Sequence, residues 1–239
     1  MMNQQLRNRF GEIERYKIVE AAKRSLYKPE GEQTLSYLRN QRGFSDEIID
    51  RFDMGYCPLN VISLPELNGR LITPIYDAYG NLIALSTRHL VENHSRRFWH
   101  ESFNKSFYVY GLPYAKKSIV KYKKVIIVEG EFDVASLHSN GFFITIGTCG
   151  SALTLSQMVL ITRYCSEVYL LFDGDRAGQS SIKKAMKLYD KYNFKLYDIT
   201  FIPVFLPKDI DPEKFVKKRG RLELMELLKQ SKNENVFLN

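Results

Sequence analysis

The chain has 239 residues, 44% of them hydrophobic, which suffices for one large domain or two small ones with a true core. No apolar run approaches the roughly 18 residues that a spanning helix needs, and the N-terminus has no apolar signal core, so we expect a cytoplasmic protein without membrane contact. The formal net charge is +8, and the first 124 residues hold 20 basic and 13 acidic side chains. A basic first half favours a polyanionic partner, although a solubilising surface explains the charge equally well.

The first half predicts a small mixed α+β subdomain over residues 1–120. Apolar spacing and capping residues predict helices over 10–25, 31–39 and 46–52, with Gly43 as a stop and Ser45 as an N-cap. Two β-rich runs around a turn then predict a hairpin over 70–76 and 82–85. Phe98 and Trp99 follow in a stretch of mixed character, where aromatic side chains are more often core than stacking platforms for unpaired bases.

The second half alternates strand and helix signals. Strands are predicted over 125–128, 142–146, 168–172 and 195–202, and helices over 133–139, 154–164 and 177–192, with another from Pro212. This alternation predicts a mainly parallel sheet flanked by helices over 121–204, followed by an acidic loop and helical segment over 205–239. Three scattered cysteines in no CxxC spacing argue against a disulfide framework or an internal zinc ribbon.

Carboxylates follow three of the predicted strands. They occur in Glu129-Gly-Glu-Phe-Asp133, in Asp173-Gly-Asp175 and in Asp209-Ile-Asp211-Pro-Glu213. Parallel strands bring their carboxyl ends to one edge of a sheet, and crowded carboxylates require a cation or protons. Hard oxygen ligands favour Mg²⁺, which supports phosphoryl transfer when two ions are held together. The Asp-Gly-Asp motif alone is as often a turn, an N-cap or a sugar-nucleotide or phosphatase site.

Taken together, the motifs resemble a known family. The segments 129–133, 147–154 and 173–178 are similar in order and spacing to the toprim domain of primases, topoisomerases and some nucleases. The resemblance extends outward through Arg42-Gly-Phe-Ser, Arg70-Leu-Ile-Thr-Pro-Ile, Ser86-Thr-Arg88, Lys105 ahead of Tyr110-Gly-Leu, and Leu206-Pro207. Over about residues 25–228 the chain resembles the RNA-polymerase core of bacterial-type, DnaG-like DNA primases.

That resemblance implies an α/β toprim domain behind a smaller α+β subdomain, and synthesis of short RNA primers from ribonucleoside triphosphates on single-stranded DNA. It implies Glu129, Asp173 and Asp175 as catalytic residues. Two or more Mg²⁺ or Mn²⁺ ions, and no zinc, would be held by Glu129, Asp133, Asp173, Asp175, Asp211 and Glu213. The template or the nucleotide phosphates would be bound by Arg42, Arg70, Arg88, Arg97 and Lys105.

The chain departs from the family pattern in lacking a zinc-binding module and a helicase-binding domain. We therefore expect a replicative helicase and a separate zinc-binding module or other initiation factor as partners, as in a compact form encoded by a phage or plasmid. Two alternatives stay open at this point. One is a toprim nuclease that uses much the same metals, and the other is an accessory protein that binds single-stranded DNA without turnover.

Overall fold

The computed structural model describes residues 10–59, 65–91, 96–150 and 152–237. The chain divides into two compact units, the first ending at residue 104 and the second beginning at 105. Residues 105–120, which the sequence analysis assigned to the first subdomain, lie in the second unit, where Tyr110 and Gly147 exchange backbone hydrogen bonds of 2.8 and 2.9 Å. In the described part of the chain no helix is long and apolar enough to cross a membrane.

The first unit begins with helices. They are α1 (Glu12–Leu26), a 3₁₀ turn (Pro29–Gly31), α2 (Glu32–Ser36), which continues as a π-helical turn (Tyr37–Gln41), and α3 (Asp46–Arg51). The helices predicted from apolar spacing are present, and Ser45 caps α3 by accepting from the Ile48 N–H. Gly43 follows the π turn with φ +69°, a left-handed conformation that glycine adopts without strain. The π turn itself has no counterpart in the prediction.

Four antiparallel strands complete this unit in the order of the chain. They are β1 (Gly55–Cys57), β2 (Arg70–Tyr76), β3 (Leu82–His89) and β4 (Phe98–His100). The predicted hairpin is β2 and β3, which pair from Arg70 and His89 onward. Apolar residues of α1 pack against the sheet together with Trp99, so that aromatic side chain is part of the core. The Arg15 guanidinium and the Glu101 carboxylate form a buried ion pair within this unit.

The second unit is an α/β fold. Its elements are α4 (Leu112–Tyr122), β5 (Lys124–Val128), α5 (Glu131–Ser139), β6 (Thr145–Gly147), α6 (Leu155–Thr162), β7 (Glu167–Leu171), α7 (Arg176–Lys191), β8 (Thr200–Val204) and α8 (Pro212–Phe237), which breaks at Gly220. The four strands are all parallel, as the alternation of strand and helix predicted. The prediction was wrong at 194–197, which form a 3₁₀ helix. There the positive φ of Asn193 and Asp198 excludes a strand, and Phe194 stacks on Tyr189.

The strand order β6-β5-β7-β8 creates a switch point between β5 and β7. After β5 the chain crosses to β6 on one side, and after β6 it returns to β7 on the other side. The connections that leave β5 and β7 therefore diverge and open a crevice at the carboxyl edge of the sheet, which is where open α/β sheets bind ligands. The fold thus places the first two acidic motifs at this crevice.

Candidate active site

The predicted acidic residues lie at the carboxyl edge of the parallel sheet in three segments, with two residues in each segment. Glu129 follows β5 directly, Asp133 lies in the first turn of α5, and Asp173 lies two residues after β7. Asp175 is the N-cap of α7 and accepts from the Gly178 N–H at 2.8 Å. The remaining two, Asp211 and Glu213, lie at the start of α8.

The connection after β8 docks against the connection after β7. The Gly174 N–H donates to the Ile210 carbonyl at 2.9 Å, and the Asp209 N–H donates to the Gly174 carbonyl at 3.2 Å. A Cβ on Gly174 would overlap the carbonyl oxygen of Pro207, so only glycine allows this approach. Docking of the two loops places Asp211 close enough to Asp173 for the two charges to repel.

Burial and mutual repulsion disfavour the ionised form of three of these acids. Burial raises the pKa of Glu129 to about 7, with smaller contributions from Asp173 and Asp175. Burial likewise raises the pKa of Asp173 to about 6, and the charges of Asp211 and Asp175 add to it. The pKa of Asp133 rises to about 8 through burial and through the charges of Asp173 and Asp211. At neutral pH these carboxylates therefore need bound protons or cations in order to lie this close together.

Two carboxylate oxygens of the cluster are left open. Glu129 Oε1 and Asp173 Oδ1 are buried and have no hydrogen-bond partner among the described residues. By contrast, Asp133 accepts from the Glu213 N–H at 3.1 Å, and Asp211 accepts from the Lys214 N–H at 2.6 Å. Open hard oxygens on neighbouring strand ends fit a divalent cation such as Mg²⁺.

The acids do not form a closed metal cage. Across the residues that the structure describes, no three His, Cys, Asp or Glu side chains are arranged to enclose an ion by themselves. This agrees with the habits of Mg²⁺, which is held by one or two carboxylates and fills its other positions with water and substrate phosphates. Glu129 and Asp173 are therefore the residues best placed to hold such an ion.

Two lysines that the sequence interpretation did not single out contact the outer acids. Lys214 Nζ lies 2.8 Å from Asp211, and its charge also lowers the pKa of Asp173. Lys217 Nζ lies 2.6 Å from Glu213, which is 7% exposed. Both lysines follow acids at three- and four-residue spacing on α8, which is the sequence signal for such pairs. They give Asp211 and Glu213 a positive partner that Glu129 does not have among the described residues.

Gln157 is a second residue that the prediction missed. It is 1% exposed, and its Nε2 lies within hydrogen-bonding distance of the carbonyls of Lys105, Tyr108 and Thr148 at 3.1, 2.7 and 2.8 Å. Its Oε1 accepts from the Thr154 N–H at 3.0 Å, which completes a capping box. The Thr-x-x-Gln pattern at the start of α6 was the available signal. Gln157 thereby holds the segment that carries Lys105 against the glycine-rich turn 147–154.

Three of the predicted basic residues converge within the first unit. Arg42, Arg88 and Arg97 line a cavity of about 460 Å³ together with Tyr37, Gln41 and Leu90. None of the described residues that line it is acidic. Such a concentration of guanidinium groups is suited to phosphate, which arginine binds through paired N–H donors.

Arg70 and Lys105 lie elsewhere. Arg70 is 5% exposed, and it donates to the carbonyls of Arg96 at 2.7 Å and Arg97 at 3.4 Å. Burial lowers the pKa of Arg70, and the charge of Arg96 adds to this effect. Arg70 is thus a buried residue whose guanidinium group binds the backbone of Arg96 and Arg97. Lys105 begins a 3₁₀ turn of the second unit. Burial raises the pKa of the Cys149 thiol, and the positive charge of Lys105 opposes that rise.

Comparison with known proteins assigns the second unit. A family model described as the Toprim domain matches residues 123–200, the segment that contains β5 to the start of β8. Among sequence relatives, the DNA primase of Chlamydia trachomatis is 34% identical over 242 residues, covering 89% of this chain and 40% of that protein. The DNA primase of Aquifex aeolicus is 29% identical over 221 residues, covering 80% and 43%.

Solved structures of the same class share the fold. The DnaG catalytic core superimposes with a TM-score of 0.81 at 25% identity, covering 90% of this chain and 78% of that one. The DnaG primase catalytic domain bound to single-stranded DNA gives the same TM-score and identity over 90% and 76%. The Aquifex aeolicus primase structure of zinc-binding and RNA polymerase domains gives 0.78 at 27% identity over 93% and 62%.

Residues 123–200 of the second unit, which form the parallel sheet with acids at its switch point, match the Toprim domain. The chain as a whole is a homologue of bacterial DnaG-type DNA primases, matched over their catalytic core. It spans about 40% of the length of the curated relatives it matches. The fold class and family expected from the motifs are thereby confirmed.

Proposed function

We propose that this chain makes short RNA primers, condensing ribonucleoside triphosphates on a single-stranded DNA template in the bacterial or host cytoplasm. The observation that carries the proposal is the pair of buried, open carboxylate oxygens on Glu129 and Asp173 at the switch point of the sheet. Homology supports the template, since a similar catalytic domain is described as bound to single-stranded DNA. The arginine-lined cavity supplies phosphate-binding groups of the expected kind.

In the proposed reaction a 3′-hydroxyl oxygen bonds to the α-phosphorus of the next triphosphate, and the bond from that phosphorus to pyrophosphate breaks. Glu129 accepts the hydroxyl proton, because a pKa of about 7 suits a general base near neutral pH. Glu129, Asp173 and Asp175 would hold the cations, with Asp133, Asp211 and Glu213 around them. When bound, two Mg²⁺ or Mn²⁺ ions would neutralise the phosphates and stabilise the leaving oxygen. The proton from Glu129 returns to water after pyrophosphate departs.

The test is incorporation of a labelled ribonucleotide on an unprimed single strand, with Mg²⁺ or Mn²⁺ and with EDTA. Glu129→Gln and Asp173→Asn should each lower incorporation by at least about 100-fold, the usual contribution of a general base or its equivalent. Asp190→Asn, at an exposed position near the end of α7, is the matched control. Full activity in Asp173→Asn would contradict the mechanism.

Two other outcomes would assign a different function. Metal-dependent nicking of DNA without incorporation of nucleotides would identify a toprim nuclease. DNA binding that is unaffected by EDTA, with no synthesis, would identify a non-enzymatic accessory protein.

We further propose that the chain works with a replicative helicase and with a separate zinc-binding module or other initiation factor. The support is that one similar solved structure, of the Aquifex aeolicus primase, combines a zinc-binding domain with an RNA polymerase domain. Primer synthesis that rises when an isolated zinc-binding module is added would agree with this proposal. Synthesis by the chain alone, with no response to such a module, would contradict the need for it.

A further inference from the structure

The three arginines that line the basic cavity alternate with two aromatic rings, Tyr37 in the cavity lining and Phe98 in contact with Arg88 and Arg97. The Cζ of Arg42 lies 5.3 Å from the centroid of the Tyr37 ring, and the Cζ of Arg88 lies 5.7 Å from it. The Cζ of Arg88 is also 5.1 Å from the Phe98 centroid, and that of Arg97 is 5.9 Å from it. Each ring thus contacts two guanidinium groups, and we call this arrangement the arginine–aromatic ladder.

The ladder is assembled from separate elements of the first unit. Tyr37 opens the π-helical turn and Arg42 follows its end, so the turn sets the distance between them. The Tyr37 hydroxyl accepts from Arg42 Nε at 2.7 Å, and this hydrogen bond holds the guanidinium group against the Tyr37 side chain. Arg88 and Phe98 are directly opposite each other in the pairing of β3 with β4. A π turn within an otherwise α-helical segment often occurs at functional sites.

Phe98 has no role in the hydrophobic core that would explain its position. It is 54% exposed, whereas its neighbour Trp99 points to the other face of β4 and packs against the core. An exposed phenylalanine between two arginines is best explained by the arginines, since the negative face of an aromatic ring attracts guanidinium groups.

Like charges in one cavity repel, and an aromatic ring attracts a guanidinium group because the face of the ring carries partial negative charge. The ladder therefore favours the close approach of the three guanidinium groups that line the cavity. Arginine binds phosphate through paired N–H donors, so the position of each guanidinium group decides how well the cavity binds an anion.

We propose that Tyr37 and Phe98 are positioning residues, which hold Arg42, Arg88 and Arg97 in the geometry that binds a phosphate-bearing ligand. This inference rests on the proposed function for the ligand's identity: either the DNA template strand or a ribonucleoside triphosphate presents the required phosphates. The rings act through the arginines and do not need to touch the ligand.

The test compares variants that remove a ring with variants that keep it. Tyr37→Leu and Phe98→Leu should each weaken binding by about 5- to 10-fold, the effect expected for loss of one or two cation–π contacts. Phe98→Tyr keeps the ring and should bind like the wild type. Tyr37→Phe keeps the ring but loses the hydroxyl acceptor for Arg42, and should be intermediate. Tyr79→Leu, at an 82% exposed aromatic of the same unit, is the matched control.

Binding of labelled single-stranded oligothymidylate and of a labelled ribonucleoside triphosphate should be measured separately, each over a series of salt concentrations. Weaker binding of either ligand together with a smaller dependence of log affinity on log salt supports the inference, and the ligand that is affected identifies the source of the phosphates. For single-stranded DNA this dependence should fall by about 0.7 for each ordered arginine contact that is lost. A base stacked on Phe98 would instead weaken DNA binding without changing the salt dependence, and that result would overturn the positioning role.

Wild-type affinity and salt dependence for both ligands in both leucine variants would also overturn it. Phe98→Leu keeps the test decisive if Tyr37→Leu fails to fold, because Phe98 is largely exposed. Binding is measured without synthesis, so the two proposals can fail separately. If the wild-type chain makes no primer, but the leucine variants bind the phosphate ligands more weakly than the wild type, the proposed function is refuted and the positioning role is supported.

Discussion

Replacing Asp133 with asparagine is expected to stabilise the metal-free protein at neutral pH. Asp133 lies in the first turn of α5, where burial together with the charges of Asp173 and Asp211 raises its pKa from 3.8 to about 8. In the unfolded chain the same group is ionised at pH 7, so folding must either bury its charge or supply a proton. Asparagine removes that charge, and its amide oxygen can still accept from the Glu213 N–H.

The size of the effect follows from the pKa shift. One pKa unit corresponds to about 1.36 kcal/mol, so the cost of burying or protonating Asp133 at pH 7 is on the order of 4 kcal/mol. Since the amide also loses hydration on burial, we expect a net gain on the order of 3 kcal/mol. The native state binds more protons than the unfolded state between pH 3.8 and 8, so wild-type stability falls as pH rises through this range. The advantage of the variant should therefore be small near pH 4 and largest above pH 8.

The assay is urea unfolding of the wild type and Asp133→Asn in EDTA, at pH 5 and at pH 8, with Asp190→Asn as the control. The wild type should be less stable at pH 8 than at pH 5, and the variant should show a smaller difference. Adding Mg²⁺ at pH 8 should stabilise the wild type more than the variant, because the cation offsets the repulsion that the substitution relieves. A variant that is less stable than the wild type at pH 8, or a gain that does not depend on pH, would refute this reasoning.

Three other substitutions test contacts that position the site or support its scaffold. Gly174→Ala should cost about 1–3 kcal/mol of folding stability, because its Cβ would overlap a backbone oxygen. Gly150→Ala is the control, because the Cβ there meets open space. Equal melting temperatures of these two variants would contradict the prediction. Glu101→Gln should cost about 3–5 kcal/mol in urea unfolding, since it leaves the buried charge of Arg15 without its counter-ion, and a neutral result would show that the pair contributes no net stability. Gln157→Leu should cost about 3 kcal/mol and lower primer synthesis, because three backbone carbonyls lose a donor; full activity would exclude a positioning role.

The position of the acidic residues at one edge of the parallel sheet could be predicted from the sequence. Glu129, Asp173 and Asp211 each follow a strand, and strand ends in an alternating α/β pattern must meet at one edge, so local patterns determine a long-range arrangement. Capping residues were equally informative, since Ser45 and Thr154 begin α3 and α6 as their side-chain chemistry requires. The roles of the individual acids stay predictions until the variants are measured.

The basic residues show what local pattern does not determine. Arg70 lies on the buried strand β2, and its partners are carbonyl oxygens 26 and 27 residues further along the chain. Arg42, Arg88 and Arg97 are partly exposed, and no local sequence signal distinguishes Arg70 from them. The sequence likewise gives no signal for the π turn at 37–41, because one additional residue per turn barely alters the apolar spacing over five positions. The contacts of Tyr37 and Phe98 with the arginines could therefore be identified only from the structure.

The central claim is that the acids at the switch point catalyse metal-dependent primer synthesis. It is tested most directly by incorporation of a labelled ribonucleotide on an unprimed DNA strand, comparing the wild type with Asp173→Asn at saturating Mg²⁺ or Mn²⁺. We expect products of several nucleotides from the wild type, their loss in EDTA, and a decrease of at least about 100-fold in the variant. Primer synthesis by Asp173→Asn at the wild-type rate would contradict it.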